Sequence, residues 1–198
     1  MSGPSFSVRR LSSQDADPFR SIRLESLRQD PEAFGSTFEM ELNESRKNFL
    51  ERFDRSTLFG GFVGTNLMAI VGFYPLEGPK IGHKGVLWGM YVRPEARGTG
   101  LATALIGSLI EHAREHVEQI QLTVVSSNPR ARRFYQRMGF SEYGLEKKAL
   151  KYNGVYFDEV LMVRFLNDGL SSPQNLRSAA RFHAFGTPGK LSKKFQNL

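Results

Sequence analysis

The sequence predicts an α/β fold, and two observations carry this. Apolar runs of strand length alternate with helical apolar stripes in the order β-α-α-β-β-β-α-β-α-β-β, and two of the strand pairs flank short turns containing Asn and Gly. In the middle of the chain, residues 87–100 (LWGMYVRPEARGTG) pass from an apolar strand through a glycine-rich turn into a helix.

Each element has its own signal. Residues 5–11 (SFSVRRL) alternate well enough for a first strand. Asp17-Pro18 offers an N-cap with proline at the first helical position, and Phe19, Ile22 and Leu27 supply a stripe that stops near Asp30-Pro31. After a PEAFG connection, Ser36 is expected to start one further helix, with Phe38, Leu42, Phe49 and Phe53 on one face. Residues 58–63 and 67–74 flank Gly64-Thr65-Asn66 as a hairpin, and 75–84 read as a loop.

Residues 87–92 then form an apolar strand ended by Arg93-Pro94. In the helix that follows, Ala102, Leu105, Leu109 and Ala113 fall on one side, with Ile106, Ile110 and Val117 beside them. Residues 119–125 are another strand. Asn128-Pro129 is a second helix start, with Ala131, Phe134, Tyr135 and Met138 on the apolar side and Gly139 as the stop. Residues 140–148 and 155–165, around Asn153-Gly154, make a final hairpin.

A strand, a glycine turn and a helix N-terminus leave several backbone N–H groups aimed at one spot with a partial positive charge behind them. That predicts an anion site, and phosphate fits it best. The P-loop pattern fails, since no Lys-Ser or Lys-Thr follows the glycines. A dinucleotide fingerprint also fails, because Thr103 stands at the third glycine position and Ser126-Ser127 where an acid is required. What remains is Arg97-x-x-Gly100-x-Ala102 directly after a strand.

Two further stretches join it. One is Asn128-x-x-Ala131-x-x-Phe134-Tyr135-x-x-x-Gly139-Phe140; the other runs from Ile22-Arg23-Leu24-Glu25-Ser26-Leu27 to Pro31-Glu32-Ala33-Phe34-Gly35. With these three in order, the sequence resembles the GNAT family of N-acetyltransferases over about residues 5–166. The resemblance implies a mixed, mostly antiparallel sheet of six to seven strands flanked by about four helices, opened between the fourth and fifth strands to admit acetyl-CoA. It implies direct attack of a primary amine on the thioester in a ternary complex. The alternative is a non-catalytic acyl-CoA-binding or interaction module on the same fold.

The resemblance also implies roles. Met90, Tyr91 and Val92 would hold the pantetheine arm by strand-like backbone bonding, with the Met90 N–H as oxyanion donor to the acetyl carbonyl. Arg97, Gly98, Thr99, Gly100, Leu101, Ala102 and Thr103 would cradle the pyrophosphate. Asn128 caps its helix and adds a hydrogen bond to the cofactor; Tyr135 would give the leaving thiolate its proton. Gly89, inside a good strand, has two readings: a bulge that aims the Met90 N–H, or a glycine tolerated beside Trp88. The general base is open between Glu39, Asp158, Glu159 and water, and Tyr152 and Tyr156 are candidates to shape the acceptor pocket.

Composition bounds the rest. No cysteine among 198 residues excludes a disulfide scaffold, a thiolate metal site and a cysteine nucleophile, so no acyl-enzyme is expected. Of the formal +7 charge, +4 falls in residues 167–198, which read as a basic, flexible extension of a domain spanning 1–166. A polyanionic cofactor such as CoA accounts for a basic balance, and the absence of aromatic–basic RNA motifs argues against nucleic acid as partner. No apolar run approaches the length of a membrane span, so a cytoplasmic location is expected. His112-x-x-Glu115-His116 matches an inverted zinc-protease pattern, but these residues continue the edge of an apolar stripe and are read as structural, with no metal. The oligomeric state is open, a homodimer included.

Overall fold

In a computed structural model, residues 5–166 are described; the expected extension at 167–198 lies outside them. Seven strands form one sheet in the order β1-β2-β3-β4-β5-β7-β6. They are β1 Phe6–Arg10, β2 Thr57–Val63, β3 Asn66–Pro75, β4 Lys84–Val92, β5 Gln119–Val125, β6 Ser141–Tyr152 and β7 Val155–Phe165. Every neighbouring pair is antiparallel except β4–β5, the strands joined by a helical crossover. The helices are α1 Ala16–Gln29, α2 Phe38–Leu42, α3 Arg46–Arg55, α4 Leu101–Arg114 and α5 Pro129–Arg137. Among the described residues, no helix is long and apolar enough to cross a membrane.

Two apolar cores lie on the two faces of the sheet. Ala69, Val71 and Phe73 of β3 point towards Leu105, Ile106, Leu109 and Ala113 of α4, the stripe expected from its spacing. The alternate residue Ile70 points the other way, into a cluster with Phe19 and Ile22 of α1 and Phe49 of α3.

Three expectations are corrected. The helix expected from Ser36 through Phe53 is two, because Thr37 caps α2 through Met40 N and Ser45 caps α3 through Asn48 N. Phe49 is buried but Leu42 is exposed, so the four apolar residues do not share one face. The first helix starts before Asp17: Ser12 and Asp15 form a capping box around a short 3-10 turn, and Pro18 sits within the first turn of α1, where its missing N–H costs nothing. There are accordingly five α-helices where about four were expected.

What locks α1, α2 and α3 together is a buried charge network. Arg23 of α1 donates from Nε and Nη2 to the Glu41 carboxylate at 2.8–3.2 Å, and Arg52 of α3 donates to the same carboxylate at 2.9 Å and to Glu44 at 2.8 Å. Burial alone would push the Glu41 pKa up, but the Arg23 and Arg52 bonds outweigh it and hold it below the usual carboxylate range. Since Glu41 binds its proton less readily folded than unfolded, its contribution is present above the ordinary carboxylate pKa and is lost as pH falls through the depressed folded value. Glu41→Ala would leave the buried Arg23 guanidinium without its ion pair and Arg52 with Glu44 alone, and should destabilise the fold by about 3–5 kcal/mol in urea titrations near pH 7.

Candidate active site

The cleft begins where the sheet comes apart. β4 pairs with β5 only from Lys84↔Gln119 to Val86↔Gln121, while β5 stays paired with β7 along its length. From Leu87 to Val92 and from Leu122 to Val125 the two parallel strands part, and their facing backbone groups are free of each other. The opening is a cleft of about 900 Å³, lined by both strands, the turn before α4 and the start of α5.

β4 carries a bulge in this stretch. Ile70 pairs with Tyr91 and Gly72 with Trp88, so Gly89 and Met90 together oppose Val71. Gly89 has φ +63°, which a side chain resists. The bulge reading of Gly89 therefore holds.

At the other end of β4, Gly98 (φ +81°) and Gly100 (φ +90°) make the turn, and Gly100 is the N-cap of α4. A Cβ on Gly98 would meet nothing within 4 Å. Thr99 Oγ1 donates to Ala96 O at 2.8 Å, and Leu101 is fully buried in the α4 core. Those two residues frame the turn with side chains that do not line the cleft. The rest of the expected set does line it: Met90, Tyr91, Val92, Arg97, Gly98, Gly100, Ala102, Thr103, Asn128 and Tyr135. Arg97 is tethered, with Nε donating to Val92 O at 2.9 Å and Nη2 lying 3.8 Å from Asp30. Asn128 Oδ1 accepts from Ala131 N at 3.0 Å as the cap of α5.

Tyr135 is buried between Phe134 and Phe140, both edge-on, and burial pushes its pKa well above the ordinary tyrosine value. It reaches the cleft as a fully protonated phenol. Tyr91 of β4 belongs to the other apolar cluster, with Phe19 and Ile22: burial first, and then its bond to Glu25, raise its pKa to about 12.

The three carboxylate candidates separate. Glu39 is exposed on α2 and does not line the cleft. Asp158 Oδ1 accepts from Lys148 N at 2.7 Å, within a bulge of β6. Glu159 does line the cleft; Thr123 Oγ1 donates to it at 2.9 Å, and burial raises its pKa. Tyr152 and Tyr156 are not among the lining residues, and Tyr156 is exposed with Lys148 and Lys151 over its ring. Tyr143 lines the cleft instead.

Sequence reasoning passed over Arg23, Phe34, Trp88 and Thr123 as site residues. One signal existed for Arg23: it stands beside Ile22 in the apolar stripe of α1, between Phe19 and Leu27, and is only 2% exposed. The His112–Glu115–His116 motif sits at the far end of α4, away from the turn. Its ligand atoms lie within 4.8 Å of one another, but His112 packs edge-on against Phe59 and Phe73 with Nε2 at 3.1 Å from Thr57 Oγ1.

Comparison with known proteins places this geometry. The model of the "Acetyltransferase (GNAT) family" matches residues 21–140. Among solved structures, an N-acetyltransferase from Staphylococcus aureus Mu50 is 15% identical over 82% of this chain and 99% of its own, with a TM-score of 0.70. The yncA protein of Salmonella typhimurium, solved with its cofactor acetyl-CoA, is 16% identical over 82% of this chain and 95% of its own, with a TM-score of 0.72. The ribosomal-protein-S18-alanine N-acetyltransferase from Escherichia coli is 19% identical over 82% of this chain and 94% of its own, with a TM-score of 0.63. At these identities the likeness speaks for the fold.

The bulge is testable by itself. Gly89→Ala forces a side chain into left-handed backbone and should cost about 1–2 kcal/mol by chemical denaturation.

Proposed function

This chain belongs to the GNAT family of acetyltransferases, and from that premise we propose that it transfers the acetyl group of acetyl-CoA to a primary amine by direct attack in a ternary complex. The observation that carries the reading is the coincidence, in one cleft, of an unpaired β4 edge, a glycine turn at a helix N-terminus and a protonated tyrosine. The residues fit acetyl-CoA. Gly98 leaves space for a pyrophosphate against the N-terminal amides of α4, and the free edge of Met90–Val92 offers an amide-bearing arm the bonds that β5 does not take.

The proton transfers follow from the burial of two groups. The amine nitrogen bonds to the acetyl carbon, and negative charge gathers on the carbonyl oxygen, where the Met90 N–H is the oxyanion donor. The carbon–sulfur bond then breaks, and Tyr135 gives its proton to the departing thiolate. Glu159 receives the proton of the amine; its raised pKa makes it a stronger base than an ordinary carboxylate. Domain and tail follow the same reading: residues 1–166 are the catalytic domain and 167–198 an appendage.

Two outcomes test this. Tyr135→Phe should retain acetyl-CoA binding by calorimetry while kcat falls by about 10²-fold, as loss of a general acid does. Initial rates in the wild type should rise with pH through a value above the ordinary carboxylate pKa, as Glu159 loses its proton, and Glu159→Gln should remove that limb. Binding of acetyl-CoA with no transfer to any amine would favour the non-catalytic module. No binding at all would refute the reading of Arg97 to Ala102.

A further inference from the structure

Two neighbouring residues that line the cleft carry buried N–H donors with no acceptor. Arg23 has committed Nε and Nη2 to Glu41, yet Nη1 has no partner; Trp88 Nε1 is likewise buried without one. Both residues line the cleft, and they are neighbours, with the Arg23 guanidinium carbon 5.8 Å from the Trp88 ring centre. The remaining buried donor without a partner among the described residues, Arg20 Nε, belongs to a residue outside the cleft. A buried donor left unpaired costs roughly 1–3 kcal/mol, so two of them on neighbouring residues that line one cleft mark a place suited to a ligand's oxygen.

The surroundings say what kind of oxygen. Nη1 lies next to the bulge, where a Cβ on Gly89 would stand 3.7 Å from it, so this donor neighbours the stretch of strand that carries the Met90 N–H. Phe34 lies under the guanidinium, 4.8 Å from its carbon, and holds it flat. The short turn Pro31–Ala33, just before Phe34, packs against β5 and β6, so the α1 side of the cleft closes over towards the strands next to Glu159. Glu159 presents a carboxylate to the same cleft. One pole donates hydrogen bonds and the other accepts them.

We propose that the acceptor is a small amino acid, its carboxylate held by Arg23 Nη1 and Trp88 Nε1 while its amine faces Glu159. The proposal rests on the acetyltransferase reading above and deepens it. A planar two-oxygen anion answers two N–H donors, whereas a polyamine or an aminoglycoside would bring more cations to a pole that already carries one. Because Glu41 neutralises Arg23 only through Nε and Nη2, the third face of the guanidinium keeps its hydrogen-bonding capacity for the ligand.

The experiment measures kcat/KM with acetyl-CoA for free α-amino acids, for the same amino acids as primary amides, for their decarboxylated amines, and for short peptides with free N-termini. Free amino acids should exceed their amides and decarboxylated counterparts by at least about tenfold, since a site built to bond a group rejects the analogue lacking it. Trp88→Phe keeps the ring packing and removes only Nε1; it should cut that preference several-fold while acetyl-CoA binding stays unchanged. Arg23→Lys should flatten it further, with circular dichroism confirming that the variant folds. A structural role alone would lower all rates together and leave the ratio intact. Equal rates for acids and decarboxylated amines, or a preference for peptides, overturn this inference and leave the acetyltransferase reading standing. Absence of transfer to any amine overturns both.

Discussion

Everything in the cleft depends on a sheet that stays together on one side of a line and parts on the other. β4 and β5 share three paired positions and then diverge, although each keeps its other neighbour throughout: β3 for β4, β7 for β5. The divergence leaves backbone donors and acceptors of β4 without a strand partner in the middle of a protein, a condition that folded chains avoid unless something else fills it. The bulge at Gly89–Met90 lies within the parted segment, so the strand's twist changes there and its amides are re-aimed. The glycine turn and the α4 N-terminus stand at the end of the same strand. One departure from regular pairing thus creates the opening and frees the edge beside the glycine turn.

The wall opposite is held by charges rather than by apolar packing alone. Arg23, Glu41, Arg52 and Glu44 join three helices, and Glu25 ties α1 to β4 through Arg93 and the Tyr91 hydroxyl. Burying ion pairs gains little net stability over well-packed apolar residues. What the arrangement does supply is orientation: a bidentate pair fixes the guanidinium plane of Arg23, which a leucine at that position could not use to present a donor to the cleft. Asp30 does the same at the mouth, where Arg97 is drawn towards α1 and held to Val92 O.

These two walls differ in how far the sequence reveals them. The cofactor side is written in local chemistry: a glycine that must adopt positive φ, an Asn-Pro helix start, a stripe repeating every three to four residues. β5, β7 and α5 accordingly begin and end where the sequence places them. The split of one expected helix into α2 and α3 was concealed because Phe38, Leu42, Phe49 and Phe53 keep a helical spacing while Thr37 and Ser45 each offer a cap, and periodicity speaks louder than a cap. The acceptor side was hidden for another reason. Arg23 and Glu41 are 18 residues apart, and nothing local says that their charges meet in the interior.

The same contrast separates the two kinds of recognition. On the proposed reading the acetyl-CoA end would rely on main-chain amides, which any sequence can supply once the backbone conformation is set, so a few glycines and a helix start would be enough to specify it. The amine end, as proposed, would rely on side chains from α1, β4 and β7, each brought in by a different long-range packing event. On that reading, a substitution at Arg23, Trp88 or Glu159 would alter which amine is accepted without disturbing the glycine turn before α4. Conversely, α1 cannot drift freely, because Arg23 is at once part of the buried network and part of the cleft. If Arg23 selects the acceptor as proposed, that specificity and the seating of α1 on the sheet are coupled through one guanidinium.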